Sequence, residues 1–354
     1  MKKIIVRALL TLLALLLALP LAYAQDAATL PPLPRGYKLQ NVRFEAQGWN
    51  NCGPATLTNA LTYFGYTDNQ RRAANWLKPN GEDKNVSPDQ MVEFVNTQVP
   101  EINVFAKTRY NGTLELMKRL LVNNFPVIIE KGYDPEPQRL GWMGHYLLLV
   151  GYDDGFGVFI THDSYIGADT NYEYEYIDRM WKDFNYTYIV LYPAQRAAEL
   201  ELLLGTDADP WQNAVNALER ARNQAIENQT DAFAWFNMGT SFVALGMYEE
   251  AAIAYDQARS YGLPWRMLWY QFGPFEAYYH AGRYDDMIVL AQANLNDGGG
   301  HFIEETYYYG GLAREGKGEY QRAISNYQAA IQFNPNFMPA REALNRAQQL
   351  VQGN

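Results

Sequence analysis

Residues 47–65 read QGWNNCGPATLTNALTYFG, and this stretch decides how the first half of the chain folds. Its apolar side chains recur at helical spacing: Leu57, Leu61 and Phe64. Gly65 is typical of the end of a helix. Pro54 suits a first helical turn, because the N–H that proline lacks would have no partner there. The pattern therefore predicts a helix that opens near Cys52.

Cys52 is the only cysteine among the 354 residues. At the amino end of a helix, free backbone N–H groups and the helix dipole stabilise a thiolate and lower the pKa of the thiol. An odd cysteine in an exported chain indicates either a reactive thiol or a link to another chain. The alternative is a buried cysteine that packs as a small apolar residue. The helix-start position favours a nucleophile.

Export is indicated by the first residues of the chain. Two lysines precede an apolar run over residues 4–21, and an Ala-Tyr-Ala sequence ends at Ala24. This is the arrangement of a cleavable signal peptide, although an uncleaved N-terminal anchor is the alternative. We expect residues 1–24 to be a signal peptide cleaved near Ala24 and residues 25–36 to be a proline-containing linker. The mature protein is then secreted or held at the cell surface.

Charge and motif content exclude several classes of function. The chain has 29 basic and 39 acidic residues, so its net charge of −10 argues against nucleic-acid binding. No His or Cys pair has the spacing of metal ligands, and no glycine-rich phosphate loop is present. We therefore expect neither a metal nor a cofactor.

Residues 37–195 are predicted to form an α+β domain, because helical patterns precede strands joined by hairpins. Ser87 opens a capping box with proline at the first helical position, and Thr113 can cap a second helix. Residues 145–152 form a continuous apolar run that predicts a central strand. A turn and a returning strand at residues 158–161 follow it.

This hairpin identifies a candidate base for Cys52. If Asp154 and Gly155 form a two-residue turn, His145 lies opposite Ser164 and close to Asp163. The register is uncertain by one or two residues, but either way the imidazole and the carboxylate lie near the same end of adjacent strands. A carboxylate in that place can orient the imidazole and fix its tautomer. His162 should point to the other face of its strand and is the weaker candidate.

Beyond Gly205, helical periodicity replaces the strand patterns. A Gly-x-Tyr sequence recurs every 36 residues, beginning at Gly246, Gly282 and Gly318. The unit around Gly239 resembles the tetratricopeptide family, through a set of matching positions: Trp235, Met238, Gly239, Phe242, Ala251, Tyr255 and Pro264. The middle unit departs from the pattern at Pro274, which predicts a broken first helix.

We accordingly expect an all-α solenoid of tetratricopeptide repeats after the first domain. Residues 196–229 would form a linker and a leading helix, and the repeats with a C-terminal capping helix would cover residues 230–354. The units are expected at residues 230–264, 265–300 and 301–336. All candidate site residues lie in the first domain, before residue 196. The repeats are therefore expected to bind a protein partner or a substrate segment.

The first half resembles the papain-like cysteine peptidases related to bacteriocin-leader-processing enzymes, cysteine peptidase family thirty-nine and its stand-alone relatives. The resemblance rests on Gln47, the Asn-Cys-Gly-Pro-Ala sequence at Cys52, the Gly-His-Tyr sequence at His145, and Asp163. It implies Cys52 as nucleophile, His145 as general base and acid, Asp163 as its orienting group and Gln47 as a donor to the oxyanion. Ser164 stands where the family often has proline.

The hypothesis from sequence is therefore an exported cysteine hydrolase that cleaves amide bonds in a peptide or protein. Two alternatives stay open: an acyltransferase or amidase that uses the same residues, and a non-catalytic binding module on a peptidase fold.

Overall fold

The computed structural model describes residues 31–134 and 141–352. The predicted signal peptide, residues 1–24, lies outside the described residues. From Arg35 onward the chain forms one compact unit. Among the described residues, no helix combines the length and the apolar character needed to span a bilayer.

The first half is built on one antiparallel sheet. Its strands are β1 (Gly36–Lys38), β2 (Val104–Arg109), β3 (Val127–Tyr133), β4 (Met143–Asp153), β5 (Val158–Asp163), β6 (Gly167–Glu173) and β7 (Tyr188–Pro193). Their order is β2-β7-β3-β4-β5-β6, with β1 paired to β4, and each pair is antiparallel. The α+β expectation for this half is confirmed.

Helices cover both faces of the sheet. They are α1 (Cys52–Thr62), α2 (Gln70–Leu77), α3 (Pro88–Gln98), α4 (Leu114–Val122), α5 (Tyr174–Trp181) and α6 (Ala197–Leu204). Successive residues of the central strand β4 contribute to different cores: Leu148 packs with α1, α2 and α3, and Leu147 packs with α4, α5 and α6. This burial on both faces explains why β4 is continuously apolar in sequence.

The capping predictions are confirmed, and the predicted turn is wrong. Ser87 forms a full capping box with Gln90, and Thr113 accepts a hydrogen bond from the backbone of Leu116. The turn after β4 is longer than the two residues expected, since Asp153 pairs with Val158. A bulge between Leu149 and Gly151 then shifts the register by one residue.

The second half consists of helices that run in pairs. They are α7 (Pro210–Glu227), α8 (Ala232–Ala244), α9 (Tyr248–Tyr261), α10 (Gly273–His280), α11 (Tyr284–Asn296), α12 (Glu304–Gly316), α13 (Tyr320–Phe333) and α14 (Met338–Gln352). Gly246, Gly282 and Gly318, which mark the sequence repeat, each stand just before the second helix of a pair with φ near +70°. That conformation favours glycine at a helix end.

Two glycines of this region allow helices to approach closely. A Cβ on Gly239 would lie 2.6 Å from the ring of Tyr255, and a Cβ on Gly311 would lie 2.4 Å from the ring of Tyr327. Pro274 lies in the first turn of α10 rather than inside a helix, and a short 3-10 helix at Met267–Trp269 precedes it. The first helix of the middle pair is thus shortened to eight residues, as Pro274 predicted.

Hydrogen bonds join the two halves at several places. Asn237 donates to the carbonyl of Lys182, Gln271 donates to the carbonyl of Asp183, and Asn334 donates to the carbonyl of Leu77, at 2.8, 2.9 and 3.1 Å. Since Asn237 and Asn334 are buried, these donors would lose their partners if the halves separated. The second half therefore packs onto the first as part of the same unit.

Gly239→Ala should destabilise the protein by about 1–3 kcal/mol, because the added methyl group overlaps a fully buried tyrosine. Gly298→Ala is the matched control, since a Cβ there meets no atom within 4 Å, and its effect should stay within about 0.5 kcal/mol. Urea denaturation of both variants measures the difference. Equal stability of the two variants would contradict the close approach of α8 and α9.

Candidate active site

Cys52 is the first residue of α1, and the loop before it is held by one buried side chain. The Gln70 amide oxygen accepts hydrogen bonds from the backbone of Gly48 and from Asn51 Nδ2, at 2.8 and 2.5 Å. Its amide nitrogen donates to Glu45 and to the carbonyl of Ala46. Gln70 therefore fixes the approach of the loop to Cys52, and the thiol is only partly buried.

His145 and Asp163 meet at the ends of β4 and β5. His145 Nε2 lies 2.9 Å from Asp163 Oδ1, and the two side chains are 5% and 0% exposed. Cys52 lines the same cleft as His145, and the two groups interact electrostatically. Because Nε2 faces the carboxylate, Nδ1 is the nitrogen left for the sulfur. The structure thus brings together the three residues that the sequence placed in one site.

Asp163 accepts four hydrogen bonds. Besides His145, Oδ1 accepts from the backbone N–H groups of Tyr165 and Ile166, at 2.9 and 3.2 Å. Oδ2 accepts a 2.6 Å hydrogen bond from the hydroxyl of Tyr172. Every one of these donors favours the ionised carboxylate, which therefore keeps its charge and its orientation although it is fully buried.

A buried lysine lies behind this carboxylate. Lys131 Nζ sits 4.7, 5.6 and 5.1 Å from the ring centres of Tyr133, Tyr172 and Tyr176. It donates to the Gly132 carbonyl at 3.0 Å and to the Tyr176 hydroxyl at 3.3 Å. Burial lowers the pKa of Lys131 to about 8, although the nearby negative charges of Asp163 and Asp183 act to raise it. The enclosed ammonium adds a positive charge near Asp163.

The three central groups have shifted pKa values. Burial by itself would raise the pKa of Cys52, but the hydrogen bond and charge of His145, with smaller effects of Tyr146 and Lys78, bring it below the ordinary value. Burial opposes a charged imidazole, yet Asp163 and Cys52 raise the pKa of His145 to about 9. Burial likewise opposes ionisation of Asp163, but His145 and Tyr172 hold its pKa well below its ordinary value. The site favours a thiolate–imidazolium pair.

Gln47 lies on the wall of the same cleft as Cys52. Its backbone N–H donates to the Ser164 carbonyl at 2.8 Å, and its side-chain oxygen accepts a 2.9 Å hydrogen bond from the Ser164 hydroxyl. With the oxygen engaged, Nε2 is the end of the amide that can donate to a ligand. Ser164, where a proline was expected from the resemblance, thus orients Gln47.

The cleft itself has a volume of about 540 Å³ and is lined by both halves of the chain. Trp49 and Tyr165 come from the first half, while Arg266, Trp269 and Tyr270 come from the second. Gly144 permits this contact, because a Cβ there would lie 2.8 Å from Tyr270. The second half, which holds none of the candidate site residues, therefore forms part of the cleft wall.

The roles of several of these supporting residues were not predicted from the sequence. Tyr172, Gln70 and Lys131 belong to no recognisable motif. A buried position for Lys131 next to the apolar run of β3 was the one available signal. Among the described residues, no group of three or more His, Cys, Asp or Glu side chains is arranged to hold a metal ion.

Comparison with known proteins agrees with this geometry. Residues 39–193 match the model of the Peptidase C39 like family. No curated protein is significantly similar to the chain.

Three solved structures show a weaker similarity. A candidate C39-like peptidase from Bacillus anthracis is 17% identical over 45% of this chain and 98% of its own, with a TM-score of 0.36. The peptidase domain of ComA from Streptococcus, a bifunctional ABC transporter, is 18% identical over 44% and 98%, with a TM-score of 0.32. MamA from Desulfovibrio magneticus is 16% identical over 45% and 94%, with a TM-score of 0.32.

The chain therefore has a C39-like peptidase domain with an antiparallel sheet. A helical C-terminal region follows, and its paired helices are consistent with a solenoid of helical repeats.

Alkylation of Cys52 by iodoacetamide should proceed well below pH 8.5, the approximate pKa of a free thiol. His145→Ala should move the midpoint of the rate profile upward by about 1 unit or more, because the thiolate loses its cationic partner. His162→Ala is the control, since its ring contacts the carbonyl of Val42 rather than Cys52. A profile that His145→Ala leaves unchanged would show that the two side chains do not form an ion pair.

Proposed function

We propose that this protein is an exported cysteine peptidase in which Cys52, His145 and Asp163 cleave an amide bond. One observation carries the proposal: a thiol at a helix start lines the same cleft as an imidazole that a buried carboxylate holds at 2.9 Å. The match of residues 39–193 to a peptidase family supports it.

The first half-reaction forms an acyl-enzyme. The Cys52 thiolate attacks the carbonyl carbon of the scissile bond, and a carbon–sulfur bond forms as negative charge moves to the oxygen. In this proposal, Gln47 Nε2 and the backbone N–H of Cys52 donate to that oxygen. The Cys52 N–H is free for this role because the first N–H groups of a helix have no intrahelical acceptor.

Proton transfers complete the reaction. The His145 imidazolium gives its proton to the leaving nitrogen as the carbon–nitrogen bond breaks. The neutral imidazole then takes a proton from water, which attacks the thioester and releases the acid product and the Cys52 thiol. Asp163 keeps the ring oriented through both steps, and Tyr172 keeps Asp163 in place.

The walls of the cleft indicate the substrate class. Trp49 is 73% exposed, Tyr165 is 51% exposed, and both lie beside Cys52. Trp269 and Tyr270 of the helical region line the same cleft. Aromatic walls favour a peptide with an apolar or aromatic side chain next to the scissile bond. The helical region thereby contributes to substrate binding, in addition to any protein partner that its repeats recruit.

The place of action is part of the same proposal. The lysines, apolar run and Ala-Tyr-Ala sequence before Gln25 support a secreted or cell-surface enzyme. A protein in oxidising surroundings with one cysteine cannot lose its thiol to an internal disulfide. Mass spectrometry of the mature N-terminus in the culture medium and the cell fractions tests this, and a retained Met1 would contradict cleavage.

Cys52→Ala should abolish hydrolysis of a peptide library while leaving the fold intact. Gln47→Ala should lower turnover about 10²–10³-fold, the usual effect of losing one oxyanion donor, with little change in the alkylation rate of Cys52. Gln321→Ala, on an exposed helix position, is the control and should match the wild type.

Turnover by Cys52→Ala equal to that of the wild type would contradict the proposal. An added amine that captures the acyl group ahead of water would instead identify an acyltransferase.

The pH–rate profile should be bell-shaped. The acid limb reflects protonation of Cys52, and the alkaline limb should lie near pH 9, where His145 loses the proton that it gives to the leaving group. Asp163→Asn should move the alkaline limb to lower pH, because removal of the carboxylate charge lowers the pKa of His145. Steady-state kinetics across pH 5–10 checks this. If Asp163→Asn leaves the alkaline limb at the same pH, the pKa of that limb belongs to a group other than His145.

A further inference from the structure

A second and larger cavity lies between the two halves. Its volume is about 870 Å³, and we call it the inner cavity. Residues of α3, β2 and β3 line it on one side, and residues of α8, α10, α12 and α14 line it on the other. Tyr270 lines both the inner cavity and the active-site cleft. The first helices of three pairs, α8, α10 and α12, thus line a cavity that the peptidase domain helps to enclose.

The inner cavity is acidic. Four carboxyl side chains line it: Asp89, Glu130, Glu276 and Glu305. Among the described residues, none of the four forms a salt bridge with a lysine, arginine or histidine. Two basic side chains also line the cavity, but Arg346 pairs with Glu315 at 2.8 and 3.1 Å and His280 stacks on Tyr248 at 3.9 Å. The cavity therefore holds four acidic groups that have no cationic partner among the described residues.

Glu305 is the group that most needs a partner. The residue is 6% exposed, and its Oε2 oxygen is buried with no hydrogen-bond partner among the described residues. Burial raises its pKa, and the nearby carboxyl groups of Glu304 and Asp83 raise it further. A buried acceptor without a donor costs about 1–3 kcal/mol, and a cation bound in the cavity would offset part of that cost through its charge.

Glu130 is a second buried acidic group of the cavity wall, and it belongs to the first half of the chain. It lies on β3 next to Lys131 and is 4% exposed. Because neighbouring side chains of a strand point to opposite faces, Lys131 lies among the tyrosines behind Asp163 while Glu130 lines the inner cavity. Burial raises the pKa of Glu130, and burial also raises the pKa values of Asp89 and Glu276. A bound cation would offset that cost for each of them.

Aromatic rings form much of the remaining wall. Six tyrosines line the cavity: Tyr110, Tyr255, Tyr270, Tyr279, Tyr308 and Tyr309. The faces of such rings attract ammonium groups within about 6 Å, and their edges pack against methylene chains. Carboxylates spaced among aromatic rings therefore suit a ligand that alternates ammonium groups with short apolar segments.

We propose that the inner cavity is a binding site for a flexible cationic ligand of the alkylammonium class. A free polyamine and the lysine side chains of a peptide share this chemistry. The volume is within the range of about 300–1,000 Å³ that is usual for ligand sites. This site is separate from the proposed peptidase function, because none of Cys52, His145, Asp163 and Gln47 lines the cavity.

Isothermal titration calorimetry on the full chain with Cys52→Ala tests the proposal without interference from turnover. The probes are spermidine, a trilysine peptide with blocked ends, and 1,8-octanediol as a neutral chain of similar length. Binding of spermidine would identify a free polyamine as the ligand class. Binding of trilysine alone would identify a basic peptide segment. Binding of neither, or equal binding of octanediol, would overturn the proposal.

Variants locate the binding in the cavity. Glu276→Gln and Glu305→Gln should each weaken binding of the cationic probe about tenfold or more, which corresponds to about 1.4 kcal/mol. Glu249→Gln removes the same charge from an exposed position and should leave the affinity unchanged. Circular dichroism checks the fold, and Glu276, which is only half-buried, gives the decisive result if Glu305→Gln does not fold. If Glu276→Gln does not change the affinity for the cationic probe, the probe does not bind in the inner cavity as proposed.

Discussion

The buried carboxylate of Asp163 is the constraint on which the rest of the site depends. It is fully buried and ionised, which is costly unless every lone pair has a donor. The donors are His145, Tyr172 and two backbone N–H groups of the turn after β5. Each donor has its own place in the fold: β4 carries the imidazole, β6 carries the phenol, and the turn carries the amides. The sheet register therefore determines the geometry of the proposed catalytic residues.

The second constraint is the packing of the helical region onto the peptidase domain. Trp142 stacks on Phe184 at 5.7 Å and lies edge-on to Tyr270 at 5.8 Å, next to the cleft. A chain that ended before the helices would lose Trp269 and Tyr270 from the cleft wall and would expose these rings. The same packing closes the inner cavity. The proposed substrate contacts and the proposed cation site thus both follow from how the sheet meets the helices.

Sequence patterns predicted those parts of the fold that short motifs specify. The capping box at Ser87, the helix start at Cys52 and the 36-residue spacing of Gly246, Gly282 and Gly318 each depend on neighbouring residues only. The hairpin register was wrong because the turn after β4 is longer than two residues, and the bulge after Leu149, which shifts the register by one, leaves no mark in an apolar run. The roles of Tyr172, Gln70 and Tyr270 could not be predicted, because their partners lie far away in sequence and isolated polar or aromatic residues have no pattern. The cation site depends on carboxyl groups from both halves and is invisible to local analysis for the same reason.

We expect Cys52 to form a covalent acyl intermediate with the help of His145, and the whole proposed function depends on this step. Acid quenching during turnover of an activated peptide ester, followed by digestion and mass spectrometry, detects the intermediate. Deacylation limits the rate with such a substrate, so the intermediate should accumulate. An acyl group should then be found on the peptide that contains Cys52, be absent in Cys52→Ala and be strongly reduced in His145→Ala. Turnover of the ester by the wild-type protein without any adduct on Cys52 would rule out this mechanism.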